Sequence, residues 1–224
     1  DAGCGSGEKA IALARQNPQA QVVAVDLVDT LERIRAMAEG LENLHLVQGD
    51  LLNPPFRPGT FPQVVSWSVL HHTPDTRQAF ESVSRLVAAD GRFVVWIYPH
   101  PEEDAFMAWY CRVRDRHFRG RGPSLSPRLR LALSRLYVVG MAPLLLYIDY
   151  AIVRPKYRGV PYMNAQKRGL RDELESGVFL IYDALTPIFH HCHRRQEVLG
   201  WFSACGFTQA ETDRLGHYWG RRSS

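Results

Sequence analysis

DAGCGSG, residues 1–7, places a glycine at every second position behind a leading carboxylate. Glycine adopts positive φ without strain and lets a backbone pass close to a ligand. EKAIALARQ follows at residues 8–16, with Ala10, Ile11, Leu13 and Ala14 at helical spacing. A helix therefore opens directly behind the loop, and its first amides point at whatever the loop holds. A dinucleotide loop reads GxGxxG and cradles a pyrophosphate. Here the spacing is GxGxG, and the carboxylate of Asp1 repels a pyrophosphate but attracts an ammonium. The expected ligand carries a cation near Asp1. Such a loop normally follows a buried strand, so the sequence is read as N-terminally incomplete.

Outward from the loop the chain alternates. AQVVAVDL (20–27) is a short β-branched run closing on an acid, the pattern of a buried parallel strand. LERIRAMAEG (31–40) is helical and stops at Gly40. LHLVQGD (44–50) and PQVVSWSVL (62–70) are strands. TRQAFESVSRLVAA (76–89) is a helix capped by Thr73 or Asp75, with Ala79, Phe80, Val83, Leu86 and Val87 in one stripe. GRFVVWIYP (91–99) is a further strand. Strands alternating with helices give a parallel sheet with right-handed crossovers. After Tyr98 the rhythm stops, returning in the helix RRQEVLGWFSACGF (194–207) and the strands FTQAETDR and GHYWGRR about Gly216. The expected division is a core over 1–99, a mostly helical insertion or lid over 100–190, and the last helix and strand pair over 191–224.

With 224 residues, 46% hydrophobic and 22% charged, the chain suits one sizeable α/β core. Cys4, Cys111, Cys192 and Cys205 form no CxxC pair, which excludes a disulfide framework and fits a reducing, cytoplasmic setting. A net charge of +4 is too mild to imply nucleic acid. Eight arginines against Asp115 between residues 112 and 135 read as a solvated helix face, or else as a phosphate-facing surface. The apolar run LYVVGMAPLLLYIDYAIV (136–153) holds Gly140, Pro143 and Asp149. It is short for a membrane span, and Pro143 is expected to break it into a buried or lid helix pair. Peripheral membrane contact and a greasy substrate channel are its other readings.

Two further acids narrow the ligand. Asp26 closes its strand 19 residues after Gly7, where it can accept from both hydroxyls of a ribose. Asp50, in GDLLN, can accept the exocyclic amine of adenine. A ribosyl acid, an adenine acid and an ammonium-facing acid together describe S-adenosylmethionine.

On these residues the chain resembles a class I S-adenosylmethionine-dependent methyltransferase of the methyltransferase 11/12 type. Asp1, Gly3, Gly5 and Gly7 match the family's first motif, Asp26 the acid after its second strand, and Gly49 with Asp50 its third-strand pair. Val69, Leu70, His71, His72 and Asp75 match the segment after its fourth strand. DGRFVVWIYP keeps the fifth-strand pattern in part, and VLGWFSACGF matches the closing helix and turn. The resemblance covers 1–99 and 194–222. It implies a Rossmann-like α/β sheet of seven strands in the order 3-2-1-4-5-7-6 with one antiparallel strand. It implies that Asp1, Gly3, Gly5, Gly7, Asp26, Leu27, Gly49, Asp50, Leu51 and Leu70 bind the cofactor.

His71 and His72 follow the fourth strand, where the family's methyl-donating sulfur lies, so either is a candidate base for an acceptor hydroxyl. Tyr182, Asp183, His190 and His193 are candidates for the acceptor pocket. No metal is expected at FHHCHRR (189–195), because adjacent ligands in an extended segment face opposite ways and structural zinc prefers CxxC or HxxxH spacing. The reading is methyl transfer to a small, fairly apolar molecule. Its alternatives are an RNA-modifying methyltransferase and a non-catalytic cofactor-binding domain recruited to a partner or membrane. The sequence is silent on oligomeric state.

Overall fold

The computed structural model describes residues 1–27, 31–117, 125–148, 186–213 and 216–223, with Ala151, Leu174, Val178, Ile181 and Tyr182. The chain divides into two compact units, Asp1–Cys111 with Phe189–Ser224 and Arg112–Ile188.

The first unit is built on two sets of hydrogen-bonded strands. β1 (Val22–Asp26) and β2 (Leu44–Gln48) pair in parallel. β3 (Phe61–Trp67) pairs in parallel with β4 (Val87–Trp96). β6 (His217–Arg222) runs antiparallel to both β4 and β5 (Phe207–Thr212). The first three residues tie the two sets together. Val25 N–H donates to the Asp1 carbonyl (2.9 Å), Gly3 N–H to Val25 (2.8 Å), and Ala2 N–H to Val65 (2.7 Å). The buried Ser66 hydroxyl donates to the Ala2 carbonyl at 2.8 Å. Neighbours therefore run β2, β1, residues 1–3, β3, β4, β6, β5, six named strands among the described residues.

α1 (Glu8–Gln16) and α2 (Leu31–Met37) cover the β1–β2 pair, burying Ala10, Ile11 and Ile34 with Ala24. α3 (Thr76–Ser84) starts where Asp75 Oδ1 accepts from Gln78 N–H at 2.9 Å, so Asp75 rather than Thr73 is the cap. Its Phe80 is fully buried against Phe93 of β4 and against Trp201 and Phe202 of α6 (Arg195–Ala204). Aromatic rings at these spacings dominate the energetics of a core this size.

Two expectations need correction. The helix expected over 76–89 stops at Ser84, and Val87 already pairs with Phe61 as the start of β4. Leu86 and Val87 look like the end of a helical stripe, but Phe61 N–H donates to the Leu86 carbonyl and draws them into the sheet. Periodicity cannot separate the two over so few residues. In the second unit, α5 (Pro127–Ile148) runs unbroken through Gly140 and Pro143, where a break was expected. Pro143 has no N–H for the Val139 carbonyl, which costs one rung of the ladder without ending the helix. α5 buries Val138 and exposes Leu136 and Val139, so this stretch is not uniformly buried. No helix among the described residues is long and apolar enough to cross a membrane.

Candidate functional site

At the carboxyl ends of β1, β2 and β3 the chain gathers its glycines and acids. Gly3 has φ +87°, and a Cβ there would lie 2.4 Å from the Val69 methyls. Gly7 has φ +80°, and a Cβ there would lie 2.6 Å from Ile34. Side chains are excluded at both on two grounds, backbone conformation and space. The result is a bare loop with Asp26 held beside it: Gly5 N–H donates to Asp26 Oδ2 at 2.7 Å. The Asp26 carbonyl in turn accepts from Gly49 N–H at 2.9 Å, which brings the GDLL segment to the same edge. Asp50 is exposed and turns its own loop, Oδ1 accepting from Leu52 N–H at 2.9 Å. Leu51 is buried beneath it, and Leu27 beside Asp26 is 63% exposed. Leu70 is fully buried in the core.

Asp1 Oδ2 is buried and has no hydrogen-bond partner among the described residues. A buried acceptor without a donor costs free energy, so the position asks for a donating ligand group. An adenosyl ligand with an ammonium supplies it, and the carboxylate of Asp26 accepts several bonds at once. The residues present thus fit S-adenosylmethionine. Cys4 also lies in this loop, its thiol pushed up to about 11 by burial and, secondarily, by the charge of Asp26.

Next to this edge lies a cluster of rings. β3 ends at Trp67, and a 3-10 turn, Leu70–His72, follows. His71 is fully buried, stacked on Tyr98 at 3.8 Å, and neither ring nitrogen has a partner among the described residues. Burial, then the neighbouring His72, His190, His193 and His191, holds its pKa well below the usual histidine value, so it is neutral at pH 7. His72 is only half-buried. Its Nδ1 lies 3.0 Å from the Phe189 carbonyl. A carbonyl only accepts, so Nδ1 carries the hydrogen, and in the neutral ring Nε2, a buried atom, is the acceptor. His190 lies 4.5 Å from Tyr98, 5.6 Å from Tyr110 and 5.7 Å from His72. His193 joins none of these. It faces α6, with Nδ1 3.1 Å from Glu197 and its ring 4.8 Å from Trp201, and burial lowers its pKa. Tyr182 belongs to the second unit, where the Arg130 guanidinium lies 5.7 Å from its ring. Asp183 lies outside the described residues.

Three features of this edge have no expectation behind them. Tyr98 is the hub of the ring cluster. His217, the first residue of β6, bonds through Nδ1 to Asp213 and lies 4.6 Å from Trp67 with the rings tilted by 38°, an acid–imidazole pair at the same edge. Cys111 of α4 (Ala105–His117) stands with Cys192 and His190. The four-residue step from Asp213 to His217 across Gly216 was visible in the sequence, but only the turn reveals that it forms a pair.

Residues 1–95 match the family model described as a methyltransferase domain. The 2-phytyl-1,4-naphtoquinone methyltransferase of Thermosynechococcus vestitus is 31% identical over 114 residues, 49% of this chain and 51% of that protein. The demethylmenaquinone methyltransferase of Thermus thermophilus is 32% identical over 109 residues, 47% of this chain and 49% of that protein. The chain thus spans about half the length of the curated relatives it matches. The crystal structure of the S-adenosylmethionine-dependent methyltransferase SibL in its apo form superposes with a TM-score of 0.52 at 17% identity, over 100% of this chain and 50% of that one. At that identity the likeness is one of fold, Rossmann-like α/β.

Proposed function

We propose that this chain, whose residues 1–95 match the methyltransferase-domain family, is a class I S-adenosylmethionine-dependent methyltransferase that transfers the cofactor's methyl group to a small, fairly apolar molecule. The observation that carries the reading is the convergence of Asp1, the glycine loop, Asp26 and Gly49–Leu51 at one sheet edge through the Gly5–Asp26 and Gly49–Asp26 hydrogen bonds. The order of neighbours about residues 1–3 supports the seven-strand arrangement 3-2-1-4-5-7-6. The small-molecule acceptor is supported by two relatives whose names specify quinone-type substrates. Four scattered cysteines without a CxxC pair support a cytoplasmic setting.

The cofactor supplies a methyl group on a positively charged sulfur, already a good electrophile. What remains for the protein is placement, which can supply a large share of the acceleration. Asp1 Oδ2 accepts from the ammonium. Gly3, Gly5 and Gly7 admit the methionyl backbone, Asp26 accepts from the ribose hydroxyls, and Asp50 with Leu51 borders the adenine. Tyr98, Tyr110 and His190 offer an aromatic wall to a flat acceptor. For an oxygen acceptor, His72 Nε2 takes the hydroxyl proton while Nδ1–H stays on the Phe189 carbonyl. His71, with no exposed surface, packs behind it.

Calorimetric titration with S-adenosylhomocysteine and, separately, with NAD tests the cofactor edge. Selective binding of the adenosyl ligand is expected, and binding of NAD alone overturns the reading. Incubation with methyl-labelled S-adenosylmethionine and a panel of quinols, phenols and amines then tests the acceptor class. Label entering none of them, with cofactor binding intact, favours a non-catalytic binding domain.

A further inference from the structure

The segment 189–193 is extended. His191 N–H donates to the His71 carbonyl (3.0 Å) and His193 N–H to Tyr98 (2.9 Å), while His100 N–H donates back to His193 (2.9 Å). In such a segment alternate residues share a face. His191 and His193 therefore turn one way and His190 and Cys192 the other. Alternation rules out 190 with 191 as joint ligands, and it puts 190 with 192. α4 brings Cys111 to that second face, and the Cys111 and Cys192 sulfurs are 3.7 Å apart. One ligand atom from each of Cys111, His190 and Cys192 lies within 4.8 Å of the others.

We propose that Cys111, Cys192 and His190 form a binding site for a thiophilic divalent cation of the zinc type. Tetrahedral zinc with Zn–S bonds of about 2.3 Å sets two thiolates about 3.8 Å apart, the separation these sulfurs already have. The two thiols are in hydrogen-bond contact, and a shared cation can replace the proton between them without moving either sulfur. Two sulfurs and one imidazole match the donor preference of zinc and leave a fourth position open to water or to an added ligand. Binding converts two thiols to thiolates and releases two protons to solvent. The imidazole binds neutral, and no electron is exchanged. All three residues are half-buried, and His190 packs against Tyr98 and Tyr110, which hold the ring in place. Cys111 and Cys192 stand 81 positions apart, one just before the second unit leaves the first and the other just after it returns. A cation here closes that long loop within the first unit, where cross-linking restricts the unfolded chain most.

The test uses the whole chain, reduced, stripped with chelator and titrated with Co²⁺ alone. About one equivalent should bind, with thiolate charge-transfer absorption and the intense ligand-field bands of tetrahedral cobalt. Zn²⁺ should displace it and raise Tm. Cys111→Ser and Cys192→Ser should each weaken binding by more than the roughly 10–100-fold that loss of a mere supporting residue costs. Cys205→Ser should leave binding unchanged, and circular dichroism confirms that each variant is folded. Absence of stoichiometric uptake, octahedral cobalt without charge transfer, or full affinity in a folded Cys111→Ser variant overturns the proposal. So does a chain that takes up no metal when reduced and forms a Cys111–Cys192 disulfide when oxidised, which identifies a redox pair instead.

Discussion

The cofactor edge and the ring-and-thiol cluster lie at the carboxyl ends of neighbouring strands, yet they are assembled differently. At the cofactor edge the parts come from short-range spacing: three glycines within seven residues, then one acid at the end of each of the next two strands. At the cluster the parts come from turns after β3 and β4, from α4 and from a segment that returns near residue 190. The first is fixed by how a βα unit is built. The second is fixed by what the insertion brings back.

That contrast can be broken by substitution. Replacing His72 with Ala should lower kcat by about 10²–10⁴-fold with an oxygen acceptor and leave the affinity for S-adenosylhomocysteine unchanged. If both quantities fall together, the two regions are one site energetically. Gly3→Ala attacks the other side, adding about 1–3 kcal/mol of backbone strain and a methyl driven into Val69. Affinity for S-adenosylhomocysteine should fall by at least about tenfold, measured calorimetrically, and tolerance of the methyl would show that the loop is not closely fitted. Asp26→Asn keeps the shape and removes the charge. A loss of about 1.5–3 kcal/mol in ligand binding is expected, and an unchanged dissociation constant would remove Asp26 from the ribose site.

Protonation sharpens the same comparison. Burial depresses the pKa of His71 in the folded chain below its ordinary 6.5. Its contribution to stability is therefore whole above pH 6.5. It is lost as pH falls through the range where the unfolded chain takes a proton that the folded site refuses. His72, His190, His191 and His193 surround it and oppose the same proton. Denaturant melts from pH 7 down to 5 should show His71→Leu flattening the slope by up to about 1.4 kcal/mol per pH unit. An identical slope in the variant would mean that water reaches the ring. The smallest effect concerns Cys4, whose thiol is pushed up to about 11. Alkylation at pH 8 followed by mass spectrometry should label it last of the four cysteines, and Zn²⁺ should slow the labelling of Cys111 and Cys192 alone.

How much of this was legible follows the range of the interaction. The meeting of the Gly3–Gly7 loop, Asp26 and Gly49–Asp50 at one sheet edge could be read because a loop and a strand end impose spacings along the chain. The end of α3 was misread because Leu86 and Val87 satisfy a helical stripe and a strand equally, and only Phe61 decides between them. Pro143 was misread because a missing N–H penalises one hydrogen bond, whereas a helix of 22 residues has many to hold it. His190 and Cys192 share a face with Cys111, a grouping that alternation between adjacent residues does not show and that the return of residues 189–193 beside α4 creates.

The sequence by itself determined the alternating α/β core, the glycine loop and the acids beside it, because periodicity and turn chemistry are local properties of the chain. Only the tertiary structure decided that the His71 ring is wholly buried and the His72 ring half-buried with Nδ1 on the Phe189 carbonyl, that Asp213 holds His217, and that Cys111 meets Cys192. Those outcomes depend on contacts between residues up to 117 positions apart, and their free energies come from burial and packing that no short window contains.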